Sequence, residues 1–382
     1  MKGHVYKRGQ TYTYVLDAGR DPGTGARRQK SKGGFRTKRD AEAALNEALS
    51  RATRGELTTA TKQTVAEVLE DWLAASEPSL RISTFDRYQR DVRLHIIPKI
   101  GAVRLADLTP AHVRALYRGL LDGDGEIRGP LSPTSVRHTA MVLHRALGDA
   151  VVLGLVRQNV TEMVKPPKKV HHEMTTWTTD QLQQFLEATK PHRLHAAFVL
   201  AATTGMRQGE IAALRWTDLN LDSEYPQVSV RRTVVRAGRI EDFAAPKTAR
   251  GSRSVPLGPR TVEILARLAA TQRRELDRLR DLALPVQGEG FVFTTPHGGV
   301  VKTYTLRNQF ERLVAQSGVP RIRFHDLRHT FATRSLEQGT NAKTISDLLG
   351  HASVAFTLST YAHAIPAMEQ AAVRSFEAQL MR

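Results

Sequence analysis

The spacing of apolar positions changes along the chain, and the changes mark out its segments. Near the N-terminus Val5-Tyr6 and Thr11-Tyr12-Thr13-Tyr14-Val15 read as short strands, Asp21 to Gly25 as a turn, and Arg27 to Phe35 as a third, basic strand. Thr37, with Asp40 three residues on, predicts a helix start, and Ala41, Ala44, Leu45, Ala48 and Leu49 then share one face. Helical spacing takes over across 61–165. Thr64 and Glu67 have capping-box spacing ahead of Val65, Val68, Leu69, Trp72 and Leu73. Thr109-Pro110 and Ser132-Pro133 each place a capping side chain before a proline at the first helical position. Val113, Leu116, Tyr117 and Leu120 follow the first, and Val136, Leu143, Leu147 and Val151 the second.

Lys165-Pro166-Pro167-Lys168-Lys169 interrupts this pattern, because paired prolines favour extended backbone and stop helices on either side. A linker is expected over 166–174. From 175 helices resume, with Thr178 and Gln181 as a cap and an apolar helix around Ala196 to Ala202. Period two appears at Val228, Val230 and Val234, with Arg253-Ser254-Val255-Pro256-Leu257 as a return strand. After Pro366 a last helix is expected over Ala367 to Met381, with Met368, Ala372, Phe376 and Leu380 four apart. It packs either on its own domain or on another copy of the chain. The whole reads as mainly α with small β elements: an α+β module over 1–60, a helical domain over 61–165 and an α-rich domain with a small antiparallel sheet over 175–382.

Charge changes the picture. There are 56 Lys and Arg against 38 Asp and Glu, a formal net charge of +18, and such an excess attracts polyanions. The first 60 residues alone hold 13 basic and 6 acidic side chains, so a small basic sheet backed by a helix is expected to meet DNA, with a solvated extension as the alternative. Arg81, Arg87, Arg90, Arg93, Arg137, His138 and Arg145 punctuate the next helices as phosphate contacts or a solvated face. The absence of Cys excludes disulfides, thiolate metal sites and Cys nucleophiles. The longest apolar stretch, Leu194 to Ala202, is far shorter than the ~20 residues a spanning helix needs. A soluble, cytoplasmic protein is expected, nucleoid-associated when bound to DNA.

Three stretches of the last segment carry candidate chemistry. In Thr204-Gly205-Met206-Arg207-Gln208-Gly209-Glu210, an Arg set between glycines just before a helix can grip an anion with two prongs. In His325-Asp326-Leu327-Arg328-His329, an imidazole and a permanent cation share a helix face at i and i+3. His325 and His329 also have the spacing of a zinc-binding H-E-x-x-H helix, but Asp326 replaces its Glu, so His329 reads as a packed, hydrogen-bonded histidine. The third stretch runs from Leu349-Gly350-His351 to Thr360-Tyr361-Ala362-His363.

In their order and wording these stretches resemble the tyrosine recombinase, or phage integrase, family. The match is strongest from Thr175 on, looser for the helical segment, which is similar to a core-binding domain, and weakest for the N-terminal module, which is similar to an arm-binding domain. The resemblance implies catalytic roles for Arg207, His325, Arg328, His351 and the nucleophile Tyr361, with Lys247 in Pro246-Lys247-Thr248 as the hairpin lysine. It implies attack by Tyr361 on a DNA phosphate to give a 3′-phosphotyrosine, protonation of the 5′ oxygen by Lys247, proton transfer assisted by His325 and a phosphate hydrogen bond from His351. No ATP, metal or other cofactor is implied. The implied partners are double-stranded DNA at attachment sites, three further copies in a tetramer joined through the C-terminal helix, and an accessory DNA-bending or excisionase protein. A type IB topoisomerase, a non-catalytic DNA-binding protein and a metal-dependent hydrolase are the rival readings.

Overall fold

Three strands, β1 (Gly3–Arg8), β2 (Thr11–Arg20) and β3 (Arg27–Phe35), form an antiparallel sheet in that order, with Gly9 at positive φ in the first turn. The computed structural model describes residues 3–20, 27–53, 62–123, 129–169, 174–237, 240–246, 249–285 and 288–361, with 370, 373, 374, 376, 377, 380 and 381 beyond. The first two strands run longer than the sequence pattern predicts. One reason lies in Asp17, whose carboxylate binds Arg27 of β3 at 2.8 Å and so extends pairing past the apolar run. Helix α1 (Lys38–Thr53) starts where Thr37 Oγ1 accepts from the Asp40 N–H at 3.1 Å. Leu45 of its apolar face meets Leu16 of the sheet in a small core.

The chain divides into two compact units, 1–171 and 172–382. In the helical part of the first, α2 (Val65–Ser76) opens on the full Thr64–Glu67 capping box and buries Val65, Val68, Leu69, Trp72 and Leu73. Next come α3 (Ile82–Arg90), a π-type stretch Asp91–Ile96 and α4 (Ile97–Ile100). No cap separates these three, which is why the sequence showed no boundaries there. α5 (Pro110–Asp122) and α6 (Pro133–Val152) begin at the predicted cap–proline pairs. Trp72 stacks on Tyr88 and donates to Asp149 at 2.7 Å, tying α2 and α3 to α6. The basic face is partly neutralised within the protein: Arg87 lies near Asp91, Arg90 binds Asp86 and Arg93 binds Glu70. Arg137, His138, His144 and Lys169 line a groove beside Tyr117.

In the second unit α7 (Thr179–Thr189), α8 (His195–Thr204) and α9 (Gln208–Ala212) precede the strands β4 (Leu219–Asn220), β5 (Gln227–Val230), β6 (Thr233–Ala237), β7 (Ile240–Ala244) and β8 (Arg253–Pro256). The β structure comes in two pieces rather than one: a sheet β4-β5-β8 and a ribbon β6-β7, both antiparallel. The break falls at Arg231-Arg232, where Arg232 binds the buried Asp218 at 2.6 Å. Helices α10 (Pro259–Asp281), α11 (Thr303–Ser317), α12 (Asp326–Glu337), α13 (Ala342–Leu349) and α14 (Val354–Thr360) complete the unit. α8 is buried along Ala196 to Ala202, and its Phe198 packs with Phe185, Phe310 and Phe324. Most of the expected last helix, including Met368 and Ala372, lies outside the described residues. The described Phe376 and Leu380 are exposed. Among the described residues no helix is long and apolar enough to cross a membrane.

Candidate active site

The site is assembled where helices of the second unit end. α8 stops at Gly205, whose φ of +62° favours glycine. A Cβ there would stand 2.5 Å from Leu349 Cδ2 and 2.7 Å from Phe331 Cδ1, so only glycine lets α8 finish against α12 and α13. Arg328 of α12 exploits that closeness. Its guanidinium, with the residue only 3% exposed, donates to the Gly205 carbonyl at 2.9 Å and the Leu349 carbonyl at 2.7 Å. These carbonyls cap α8 and α13, so one cation satisfies the negative ends of two helices. Burial and the neighbouring Arg207 push this guanidinium down to about 9, which still leaves it charged at neutral pH.

Arg207 caps α9 and is gripped by Glu210 twice, from its main-chain N–H at 2.9 Å and its guanidinium at 2.8 Å. The same buried carboxylate takes two hydrogen bonds from Arg253 of β8, at 2.9 and 3.2 Å. Burial alone would raise the Glu210 pKa; the hydrogen bonds and charge of Arg253 and Arg207 outweigh it and hold the group below the usual carboxylate range. Arg207, Arg253 and Arg328 thus face one carboxylate, Glu210. Two positive charges are left over, and the Arg207 side chain, 40% exposed, opens the cluster to solvent. Such a cluster is suited to an anion.

Gly350, at φ +66°, ends α13 and turns the chain inward to His351. His351 is buried, its Nδ1 2.7 Å from Thr357 Oγ1 and its ring stacked near Tyr361 with centroids 6.3 Å apart. Burial, then Arg328 and Arg207, push its pKa down to about 3, so the ring is neutral. Tyr361 follows α14 and is 1% exposed among Ala332, Leu336, Ile345 and Leu349. Burial raises its pKa to about 12 against the pull of Arg328 and Arg207. Its hydroxyl lies 3.0 Å from His329 Nδ1. His325 stands edge-to-face with His329, centroids 5.1 Å apart. The protein packed on its inner side, then His329, Arg328 and Arg207, lower its pKa to about 4, while solvent on its exposed edge screens part of that effect. Among the described residues no group of three or more His, Asp or Glu has metal-binding geometry.

Five of the six sequence candidates therefore converge: Arg207, His325, Arg328, His351 and Tyr361. Lys247 lies outside the described residues, in the connection from β7 to β8. Three further residues belong to the constellation. His329 is hydrogen-bonded, as its sequence context led us to expect, but its partner is the Tyr361 hydroxyl. Glu210 stands three residues after the cap residue Arg207, a spacing that could have flagged it. Arg253, one residue at the head of a strand, carries no local signal at all.

Residues 175–368, just over half of the chain, match the model of the phage integrase family. The chain belongs to the phage integrase family. It is a tyrosine recombinase, an enzyme that breaks and rejoins DNA. Residues 4–52 match an arm DNA-binding domain, and 64–121 the N-terminal SAM-like domain of phage integrases. A XerC-like tyrosine recombinase of Caldanaerobacter subterraneus subsp. tengcongensis is 28% identical over 98% of both chains. The Tn1549 transposon integrase, solved with transposon right-end DNA, superposes with a TM-score of 0.66 at 20% identity, covering 82% of this chain and 99% of its own. A lambda integrase tetramer on a Holliday junction gives 0.53 at 20% identity, covering 91% and 95%. At these identities the two structures establish the shared fold of the family.

Proposed function

We propose that the chain is the integrase of a mobile element and that Arg207, Lys247, His325, Arg328, His351 and Tyr361 perform its chemistry. The observation that carries this is the pairing of a buried phenol, Tyr361, with a cluster whose two surplus positive charges call for a phosphate. In the reaction the Tyr361 oxygen bonds to the scissile phosphorus and the bond to the 5′ oxygen breaks, leaving a 3′-phosphotyrosine. Arg207 and Arg328 offset the charge that accumulates on the non-bridging oxygens. The Tyr361 proton passes to His329, whose Nδ1 lies 3.0 Å from the hydroxyl, with His325 next to it. Lys247 supplies a proton to the leaving 5′ oxygen, which is otherwise a poor leaving group. His351 donates to the phosphate. Because the ester is retained on the protein, a 5′-hydroxyl from another strand reverses the step.

We assign 1–60 to arm-site binding, 61–165 to the core-binding domain, 166–174 to the linker and 175–382 to catalysis. The basic groove beside Tyr117 supports a DNA contact by the second of these. The exposed Phe376 and Leu380 support a tail that packs on a neighbouring copy in a tetramer on attachment-site DNA, with an accessory DNA-bending or excisionase protein setting direction. Such an enzyme works in the cytoplasm. The test is to incubate the full chain with supercoiled plasmid carrying the DNA that flanks its gene, stop with detergent, and score protein-linked DNA. Wild type forms the adduct and Tyr361→Phe does not. An adduct that persists in the Phe variant would overturn the assignment of the nucleophile.

A further inference from the structure

We infer that Thr357 is a positioning residue that fixes the tautomer of His351, so that Nε2 presents an N–H rather than a lone pair to the phosphate. The inference rests on the recombinase reading of the site and adds a residue to it. His351 must act as a neutral ring, because burial beside Arg328 and Arg207 opposes a second proton. A neutral imidazole donates from one nitrogen only. Whether it attracts or repels a phosphate oxygen is therefore decided by which nitrogen holds the hydrogen.

The Thr357 hydroxyl decides it. Thr357 is fully buried, and among the described residues the one hydrogen bond of its side chain is to His351 Nδ1, at 2.7 Å. If Nδ1 carried the hydrogen, it would donate to Oγ1 and the hydroxyl hydrogen would have no acceptor in the interior. If Nδ1 is bare, the hydroxyl donates to it and every group is satisfied. The second arrangement is favoured, and it leaves the hydrogen on Nε2. Geometry holds it in place: Ser353 caps α14 by accepting from the Phe356 N–H, so Thr357 projects from the first turns of a helix anchored two residues after His351. The Phe356 ring packs edge-to-face on the imidazole at 5.0 Å and resists its rotation.

The experiment is a long-range proton–nitrogen correlation spectrum of the full chain labelled with nitrogen-15 histidine, with the His351 signals assigned by their loss in His351→Gln. At neutral pH wild type and Thr357→Ser show the Nε2–H form. Thr357→Val, which keeps the shape and removes the hydroxyl, shows the Nδ1–H form or a mixture. Cleavage of a nicked attachment-site duplex in a single turnover then falls roughly a hundredfold in Thr357→Val, as for loss of one donor to a developing oxyanion, and the Ser variant restores it. Nδ1–H in wild type, or an unchanged tautomer in a folded Val variant, overturns the inference whatever cleavage does. Full cleavage by His351→Ala would instead sink the phosphate contact of His351 and leave the tautomer result standing, so the two failures are distinguishable.

Discussion

Replacing Glu210 by Gln tests the charge argument at its centre. The carboxylate is 3% exposed and takes four hydrogen bonds, two from Arg207 and two from Arg253. Glutamine offers one acceptor oxygen, and its amide would turn a donor toward a donor on the other side. The Arg207 head is half in water and loses little. Arg253, with 6% of its side chain exposed, is left as a buried cation without its partner. Removing one member of such a pair costs about 3–5 kcal/mol. For a unit the size of 172–382 each kcal/mol lowers the melting temperature by about 2–4 °C, which predicts a fall of about 6–20 °C. Of the three tryptophans only Trp72 lies in the first unit, so a Trp72→Phe background lets fluorescence report on the second alone. The variant also carries one more surplus positive charge, so inorganic phosphate should raise its melting temperature more than it raises that of the parent. A variant melting within about 1 °C of the parent, the threshold set by the same scaling, or equal stabilisation of both by phosphate, would refute the reasoning.

Three other outcomes follow from the same geometry. Gly205→Ala should lose about 2–5 kcal/mol, from left-handed backbone and the overlap with Leu349 and Phe331, and should also slow cleavage by displacing a carbonyl that holds Arg328; a urea midpoint matching wild type would contradict this. The folded pKa of His351, about 3, lies below its unfolded value of 6.5, so its contribution to stability is complete above pH 6.5 and is lost as the pH falls toward 3. Between pH 6.5 and 5 the unfolding free energy from urea titrations should therefore fall more steeply in wild type than in His351→Gln, by up to about 1.4 kcal/mol per pH unit; parallel curves would show that the buried ring titrates normally. His329→Leu should slow first-strand cleavage by about 10²–10⁴, and a substrate with sulfur in place of the 5′ bridging oxygen should rescue Lys247→Ala but not His329→Leu, since a thiolate leaves without a proton. Rescue of the His329 variant by sulfur would remove it from the nucleophile side.

How far the sequence reached depended on whether a feature was local. Helix starts at Thr64, Thr109, Ser132 and Thr178 were legible because a cap and its first turn lie within four residues, and all four side chains make the predicted bond. The π-type stretch Asp91–Ile96 was not, since it arises where one helix runs into the next with no cap between them. In the site, Arg207, Arg328 and His351 could be read from glycine-flanked and motif-bound positions. The partner of His329 is 32 residues away and the Arg253–Glu210 pair spans 43, and nothing in either neighbourhood announces such contacts. The split of the sheet at Arg232 has the same cause, a pairing with Asp218 on the other side of a turn.

On the proposed roles of Tyr361, Arg207 and Arg328, the resting site also explains why the chemistry waits for DNA. With its pKa raised to about 12 by burial, Tyr361 is almost wholly un-ionised at neutral pH. Arg328 and Arg207 pull that value down and burial overrides them, so the arginines are not there to hold a phenolate ready. Their surplus charge acts when a phosphate monoanion enters and begins to take a fifth oxygen, since only then does the negative charge beside them grow. A proton must leave the phenol over the same interval, and His329 Nδ1, 3.0 Å away, is placed to receive it. A standing phenolate would bind the surplus cations itself and compete with the phosphate for them. A buried phenol does not, which on these roles makes ionisation of the nucleophile and capture of the substrate successive parts of one event.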